Sequence, residues 1–321
     1  MEYLDKKIEE LSAYLPPLTR REDFGAFWQE SIAQARAAAL QPDVKRRAYP
    51  SRYVEVYDVS YRGFDETRIH GLFIRPLFAG EEKLPCLIHF HGFSGSRGAP
   101  SDFMHWVLLG MAVLSVDCRE QGGITGNCAH YSDSGMVSNV TSKGLLHKEE
   151  YYYRAVYIDC LKALDMAEAL PQVDPRRLAV RGVSQGGALG MAVCSLDRRP
   201  ALLMANVPSG SELQARVEGR HGSFSSVNDY LRRYPDRVDT VYETLSYFDT
   251  MNMAENIRCP VLASVALADQ VCPARCYFAS YNRIKSPKHI CVYPFNEHDG
   301  AGQVHLEKEL QFLKDSGLLN G

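Results

Sequence analysis

From residue 51 onward the chain alternates between two hydrophobic periods. Strand-like runs recur at Tyr53–Tyr61, His70–Arg75, Pro85–His91, Ala112–Asp117, Leu178–Arg181, Leu202–Val207, Pro260–Ala266 and Ile290–Pro294. Tyr53–Tyr61 alternates apolar and polar residues, whereas Pro85–His91 is almost continuously apolar, as a strand covered on both faces is. Between the runs lie helical patterns. Glu149–Ala169 carries Tyr152, Val156, Cys160 and Leu164 at four-residue spacing, Ala188–Ser195 is helix-compatible, and Val304–Asp315 predicts a terminal helix. Strands alternating with helices predict an α/β class, a doubly wound and mostly parallel sheet. Residues 1–50 read as an N-terminal arm: a short helix, the turn Leu15-Pro16-Pro17-Leu18, then a helix from Asp23 to Ala38. Residues 210–256 are polar and largely helical, a helical insertion near the site. With no linker in view, residues 1–321 are expected to form a single domain.

The sharpest chemical signal is Arg181-Gly182-Val183-Ser184-Gln185-Gly186-Gly187. It follows an apolar run and precedes a helix, so Ser184 falls on a strand-to-helix turn. Gly182-x-Ser184-x-Gly186 is the nucleophile-elbow pattern of α/β-hydrolases. Residues without a Cβ let backbone pass closely on both sides of such a turn. The helix N-terminus then aims free N–H groups at the same spot.

A serine hydroxyl needs a base, and the base needs an orienting acid. In this fold the chain order is Ser, Asp or Glu, His. Of the late histidines, His289 starts a strand and His305 lies within the terminal helix. His298 sits in the loop between last strand and last helix, where a base reaches the sheet edge. Asp269 follows the penultimate strand, and Pro273 is expected to open a helix at its first position. Glu297 and Asp299 adjoin His298 too closely to fold back onto its ring. Two N–H donors should face the developing oxyanion. The backbone N–H of Gln185 is one. The other is that of Phe93, in the loop His91-Gly92-Phe93-Ser94-Gly95, whose Gly92 and Phe93 are also the expected substrate contacts. His91 is read as a structural histidine bonding this loop.

Composition narrows the picture. The 321 residues are 45% hydrophobic with a net charge of −3, so there is no nucleic-acid footprint. No apolar run reaches membrane length, and the charged N-terminus lacks a secretory h-region; the expectation is a cytoplasmic protein. Nine scattered cysteines, mostly in apolar segments, read as reduced thiols. Cys272 and Cys276 lack a second ligand pair, and His89 with His91 lacks a third ligand, so neither metal nor cofactor is expected.

Longer tracts add a resemblance. They are Tyr14 to Phe24 with Phe27-Trp28, Arg181 to Gly187, Thr244-Leu245-Ser246-Tyr247-Phe248-Asp249, Ala268 to Pro273, and Glu297-His298-Asp299. With these the chain resembles carbohydrate esterase family seven, the acetyl xylan esterases and cephalosporin-C deacetylases, over nearly its full length. The resemblance implies an α/β-hydrolase fold, a metal-free triad of Ser184, Asp269 and His298, cytosolic deacetylation of small acetylated compounds, and a hexameric homo-oligomer. Several positions depart from the family pattern. Phe93 stands for tyrosine, Glu120 for the glycine of Arg-Gly-Gln, residues 123–143 lack a tryptophan, and Val207 to Glu212 differ. The expected activity is a serine esterase that removes acetyl groups through an acyl-enzyme, for example from acetylated xylo-oligosaccharides. The alternatives are another serine hydrolase, a peptidase or lactone hydrolase, or a non-catalytic pseudo-hydrolase that binds. The presence of all three triad residues argues against the last. A pocket-facing Glu120 is expected to disfavour anionic substrates.

Overall fold

The computed structural model describes residues 2–80, 82–133 and 136–319. Nine strands form one sheet: β1 Asp43–Arg47, β2 Val54–Arg62, β3 Arg68–Pro76, β4 Leu84–Phe90, β5 Ala112–Val116, β6 Val173–Val183, β7 Pro200–Asn206, β8 Val261–Ala266 and β9 Lys288–Tyr293. Their order is β1-β2-β3-β5-β4-β6-β7-β8-β9. The β1–β2, β2–β3 and β3–β5 pairs are antiparallel, and every pair from β5 to β9 is parallel. The helices are α1 Glu2–Ser12, α2 Phe24–Ala37, α3 Met104–Leu108, α4 Tyr152–Ala169, α5 Gln185–Leu196, α6 Leu213–Glu218, α7 Ser225–Arg233, α8 Val238–Ser246, α9 Ala274–Tyr281 and α10 Gly302–Asp315.

The strand alternation sorts side chains onto two cores. Val59, Tyr61, Ile88, Leu114, Val180 and Leu203 face one core with Trp28 of α2, Tyr157 of α4 and Leu189 of α5. Val56, Leu72, Leu87, Val113, Ala179 and Leu202 face the other with Trp106 of α3 and Leu313 of α10. A strand buried on both faces has no polar side to show, which is why Pro85–His91 reads as almost continuously apolar.

One element has no such signal. Strand β1, Asp43-Val44-Lys45-Arg46-Arg47, lies inside the segment read as a purely helical arm. It pairs only with β2 and is exposed over most of its length. Charge on an outer strand discourages pairing with other chains and erases the hydrophobic pattern. The rest of the N-terminal segment is anchored by specific contacts. Trp28 Nε1 donates to Tyr247 O at 3.0 Å, and the Trp28 ring stacks on Tyr157 with centroids 5.7 Å apart. Tyr14 donates its hydroxyl hydrogen to Glu212.

The chain reverses its direction of travel across the sheet around β4. From β4 it steps to β5 on one side, then crosses to β6 on the other. In open α/β sheets the crevice beyond the strand ends at such a reversal is where ligands bind. The loop after β4 begins at His91, and the turn after β6 carries Ser184.

That turn is held by backbone contact. Ser184 has φ 57° and ψ −117°, outside the regions an ordinary residue favours. A Cβ on Gly182 would lie 2.1 Å from the carbonyl carbon of Gly186, and one on Gly186 would lie 1.9 Å from Phe90 O. We expect Gly186→Ala to destabilise the fold by about 3 kcal/mol, read as a lowered midpoint in urea unfolding. An unchanged midpoint would show that the elbow tolerates a Cβ.

Candidate active site

Three loops bring the predicted residues together. His298, in the loop between β9 and α10, has Nε2 3.0 Å from Ser184 Oγ. Its Nδ1 lies 2.8 Å from Asp269 Oδ2, in the loop after β8. An aspartate carboxylate accepts, so Nδ1 carries the proton and Nε2 presents its lone pair to the hydroxyl. Asp269 is 2% exposed, and its other oxygen accepts from Val271 N and Cys272 N, each at 2.8 Å. The carboxylate is thereby fixed in orientation. Pro273 is the residue preceding α9 and not its first helical position, so the helix begins one residue later than expected.

The rejected candidates lie elsewhere or serve other ends. His305 is buried on α10, bonded to Asn206 Oδ1 at 2.8 Å and Tyr293 OH at 3.1 Å, and burial lowers its pKa. Asp299 folds back onto its own loop, accepting from Glu297 N and Asn296 Nδ2. The β9 residue His289 is exposed and, among the described residues, lies away from the serine's hydrogen-bond chain.

The loop after β4 lies against the elbow. A Cβ on Gly92 would be 3.6 Å from Val183 O and 3.9 Å from Ser184 Cβ. His91 fixes this loop. Its Nε2 accepts from Cys118 N at 2.8 Å, so its Nδ1 holds the proton and donates to Gly92 O at 2.7 Å. Burial lowers the His91 pKa and favours this neutral tautomer. Among the described residues the N–H groups of Phe93 and Gln185 donate to no protein group. The first N–H groups of a helix have no intrahelical partner, so that of Gln185 is free for a ligand.

Gln121 ties these parts together, a role sequence reasoning did not assign. Its Oε1 accepts from Ser94 N at 2.9 Å, and its Nε2 lies 3.0 Å from both Gln185 Oε1 and Tyr152 OH. Beneath it, Arg119 is fully buried. Its guanidinium grips Asp159 through two bonds, 2.7 Å and 2.9 Å, and reaches Asp65 Oδ2 at 3.0 Å. The sequence displayed Arg119 and Gln121 side by side, but their partners lie far off in the chain.

Glu120 does not act as expected. It is held by Asn127 Nδ2 at 2.6 Å and by Lys143 Nζ at 2.5 Å, and Lys143 and Asn127 hold its pKa down against the desolvation that raises it. Its charge is already met by Lys143, so the argument that it repels anionic substrates fails.

Cys272, considered from the sequence only as a metal-pair candidate with Cys276, proves to lie beside the nucleophile. Its Sγ lies 3.8 Å from Ser184 Oγ and is buried, and burial pushes its thiol pKa up. Ligand atoms of Asp269, Cys272 and His298 all lie within 4.8 Å of one another. Asp269 already accepts three N–H bonds, and Arg216 Nη2 sits 3.7 Å from Cys272 Sγ. A guanidinium beside the sulfur disfavours a second cation there, so the set fits a proton relay better than a metal centre.

Strand order, switch-point crevice and strained serine turn define an α/β hydrolase. More narrowly, the chain belongs to the acetyl xylan esterase (AXE1) family, whose model matches residues 1–316. It is similar to the solved acetyl xylan esterase from Paenibacillus sp. R4, with 37% identity, a TM-score of 0.92 and coverage of 96% of this chain and 98% of that one. It is also similar to acetyl xylan esterase 1 from Thermoanaerobacterium sp. JW/SL YS485, with 29% identity, a TM-score of 0.89 and the same coverage of each chain, 96% and 98%. Acetyl esterase Axe7A of Xylanibacter ruminicola is 26% identical over 94% of this chain and 69% of its own length. Among the described residues no helix is long and apolar enough to cross a membrane.

If Gln121 positions the Gln185 and Ser94 segments, Gln121→Leu should lower kcat by up to about 100-fold, because small misplacements of reacting groups are costly. KM should change little. Steady-state kinetics with an unchanged circular dichroism spectrum would test this, and a wild-type kcat would remove Gln121 from the argument.

Proposed function

We propose that this protein is a serine esterase that removes acetyl and other short acyl groups from small acetylated compounds, acetylated xylo-oligosaccharides among them. The observation that carries the reading is the unbroken hydrogen-bond chain from Asp269 through His298 to Ser184, at 2.8 Å and 3.0 Å. In this mechanism His298 Nε2 takes the proton as Ser184 Oγ attacks the ester carbonyl. Asp269 holds the tautomer and stabilises the imidazolium. The N–H groups of Gln185 and Phe93 donate to the oxyanion, and Gly92 gives the substrate room beside the serine. The imidazolium then protonates the departing alcohol. Water, deprotonated by the same histidine, attacks the acyl-enzyme and releases the carboxylic acid.

A preference for short acyl groups is supported by how little room there is next to the elbow, where Gln185 helps to line a cavity barely large enough for one water molecule. Tyr153, Gln185, Ser209, Leu213, Phe224 and Phe248 line it, with large side chains limiting its depth. Added methylenes should therefore be discriminated in steps of about 1–3 kcal/mol each. The rate order should run acetyl, then butyryl, with long chains very poor, as a panel of chromogenic esters would show. A flat profile across chain length would contradict it. A cytoplasmic location and a hexamer complete the proposal, the latter tested by light scattering on the purified protein.

Ser184→Ala should lower kcat by about 10⁴-fold or more with folding intact. Asp269→Asn should lower the rate strongly with little change in substrate binding. Near-normal turnover by either variant would overturn the assignment.

A further inference from the structure

Two arginines are fully enclosed, and they differ in company. Arg119 has two carboxylates. Arg216, on α6, is 1% exposed, and among the described residues no carboxylate lies within ion-pair distance of it. Its Nη2 donates to Val271 O at 3.0 Å and lies 3.7 Å from Cys272 Sγ. Its guanidinium carbon sits 5.4 Å from the centroid of the Phe224 ring. Its Nε is enclosed with no acceptor at all. Guanidinium stays charged at any working pH. A buried charge without a counter-charge is strongly unfavourable, and one is retained where a ligand supplies the missing partner.

The position is as telling as the missing partner. One sulfur atom separates the guanidinium from the serine, since Cys272 Sγ also lies 3.8 Å from Ser184 Oγ. Phe224, whose ring lies beside Arg216, also lines the very small cavity that Gln185 borders. Glu120, the charge that would have argued for neutral substrates, is occupied by Lys143.

We propose that Arg216 is a carboxylate-binding subsite beside Ser184, so that the esterase favours esters carrying a carboxylate a few bonds from the scissile carbonyl. The proposal rests on the esterase reading and adds the charge class of its substrate. The hydrolytic step is unchanged: water and ester give acid and alcohol, while Arg216 remains protonated and pairs with the distant carboxylate. That carboxylate belongs either to the acyl portion, as in a dicarboxylic half-ester, or to the alcohol portion, as in an acetylated sugar acid.

Two matched pairs separate these sources. Monoethyl succinate against ethyl pentanoate, followed by titration of released acid, reports the acyl side. Acetylated glucuronic acid against acetylated glucuronamide, followed by acetate release, reports the alcohol side. We expect the wild type to favour the charged member of one pair by about ten- to a hundredfold in kcat/KM. Arg216→Met should erase that ratio, and Arg216→Lys should restore part of it. Equal rates within both pairs would overturn the proposal. So would an Arg216→Met variant that slows charged and neutral members alike, which would mark Arg216 as a brace for Val271 only. Should Arg216→Met fail to fold, the wild type still decides: succinate should inhibit hydrolysis of ethyl acetate competitively where succinamide does not, and equal effects would refute the subsite. If the wild type hydrolyses no neutral acetyl ester either, the esterase reading falls, a result distinct from the loss of charge preference alone.

Discussion

The architecture turns on one backbone conformation, the left-handed turn at Ser184. A non-glycine residue held there costs on the order of 1–3 kcal/mol, so its surroundings must impose it. Ser184 N donates to Asn206 O at 2.9 Å, and Ser184 O accepts from Ser209 N at 3.0 Å. The end of β7 therefore grips the turn from one side. Phe90, at the end of β4, presses on Gly186 from the other. Only a sheet that places β6 between β4 and β7 provides both contacts. The strand order and the exposed serine are one constraint seen at two scales. A second distorted residue adjoins the first: Val207, a β-branched residue at φ 37°, follows β7, and a Cβ on Gly300 would meet its Cγ1 at 3.1 Å. The loop that carries His298 is thus packed against the same strand end that holds the serine.

The fold was legible where burial is repetitive. Strands β4, β5, β7 and β8 are buried along almost their whole length and apolar runs announce them, whereas β6 shows such a run only over Leu178–Val180. Ser184, Asp269 and His298 were legible for a different reason. Each lies just past a strand end, and the chain order of the fold assigns one residue type to each loop. Strand β1 was not legible, because charge at an exposed edge carries no period. The contacts of Gln121, Arg119 and Arg216 were equally hidden. Arg119 meets Asp159 across 40 residues of sequence, and Arg216 meets Cys272 across 56. No local pattern relates such partners. They become visible only when the loops converge.

Beneath the pocket the polar groups are paired with care. Arg181 is bidentate to Glu309 at 2.8 Å and 3.0 Å, and Asn206 bridges Glu309 to His305. This network binds α10 to the ends of β6 and β7, so the helix that follows the His298 loop is fixed to the strand that precedes the elbow. The Arg119 cluster does the same for the loop that bears Gln121. Removing one member of such a buried pair strands a charge and typically costs about 3–5 kcal/mol. Both clusters place a rigid frame behind a site whose own geometry tolerates little movement.

Arg216 is meaningful against that background. The same fold that meets the charge of Arg119 and Arg181 leaves that of Arg216 open, on a short helix next to the nucleophile. Helix α6 is itself well secured: Glu212 N and Leu213 N donate to the buried Asp249 at 3.0 Å and 2.7 Å, and burial pushes the Asp249 carboxyl up to about 6. The arginine's missing partner is therefore not a symptom of loose packing. Local stability is given up in a well-ordered region, one sulfur atom away from the nucleophile. Natural folds accept unmet polar groups mainly at functional sites, because the complex recovers there what the free protein lacks. The frame that positions Ser184 and the charge that awaits a ligand are then two sides of one arrangement: rigid pairing behind the nucleophile, and an unpaired cation in front of it.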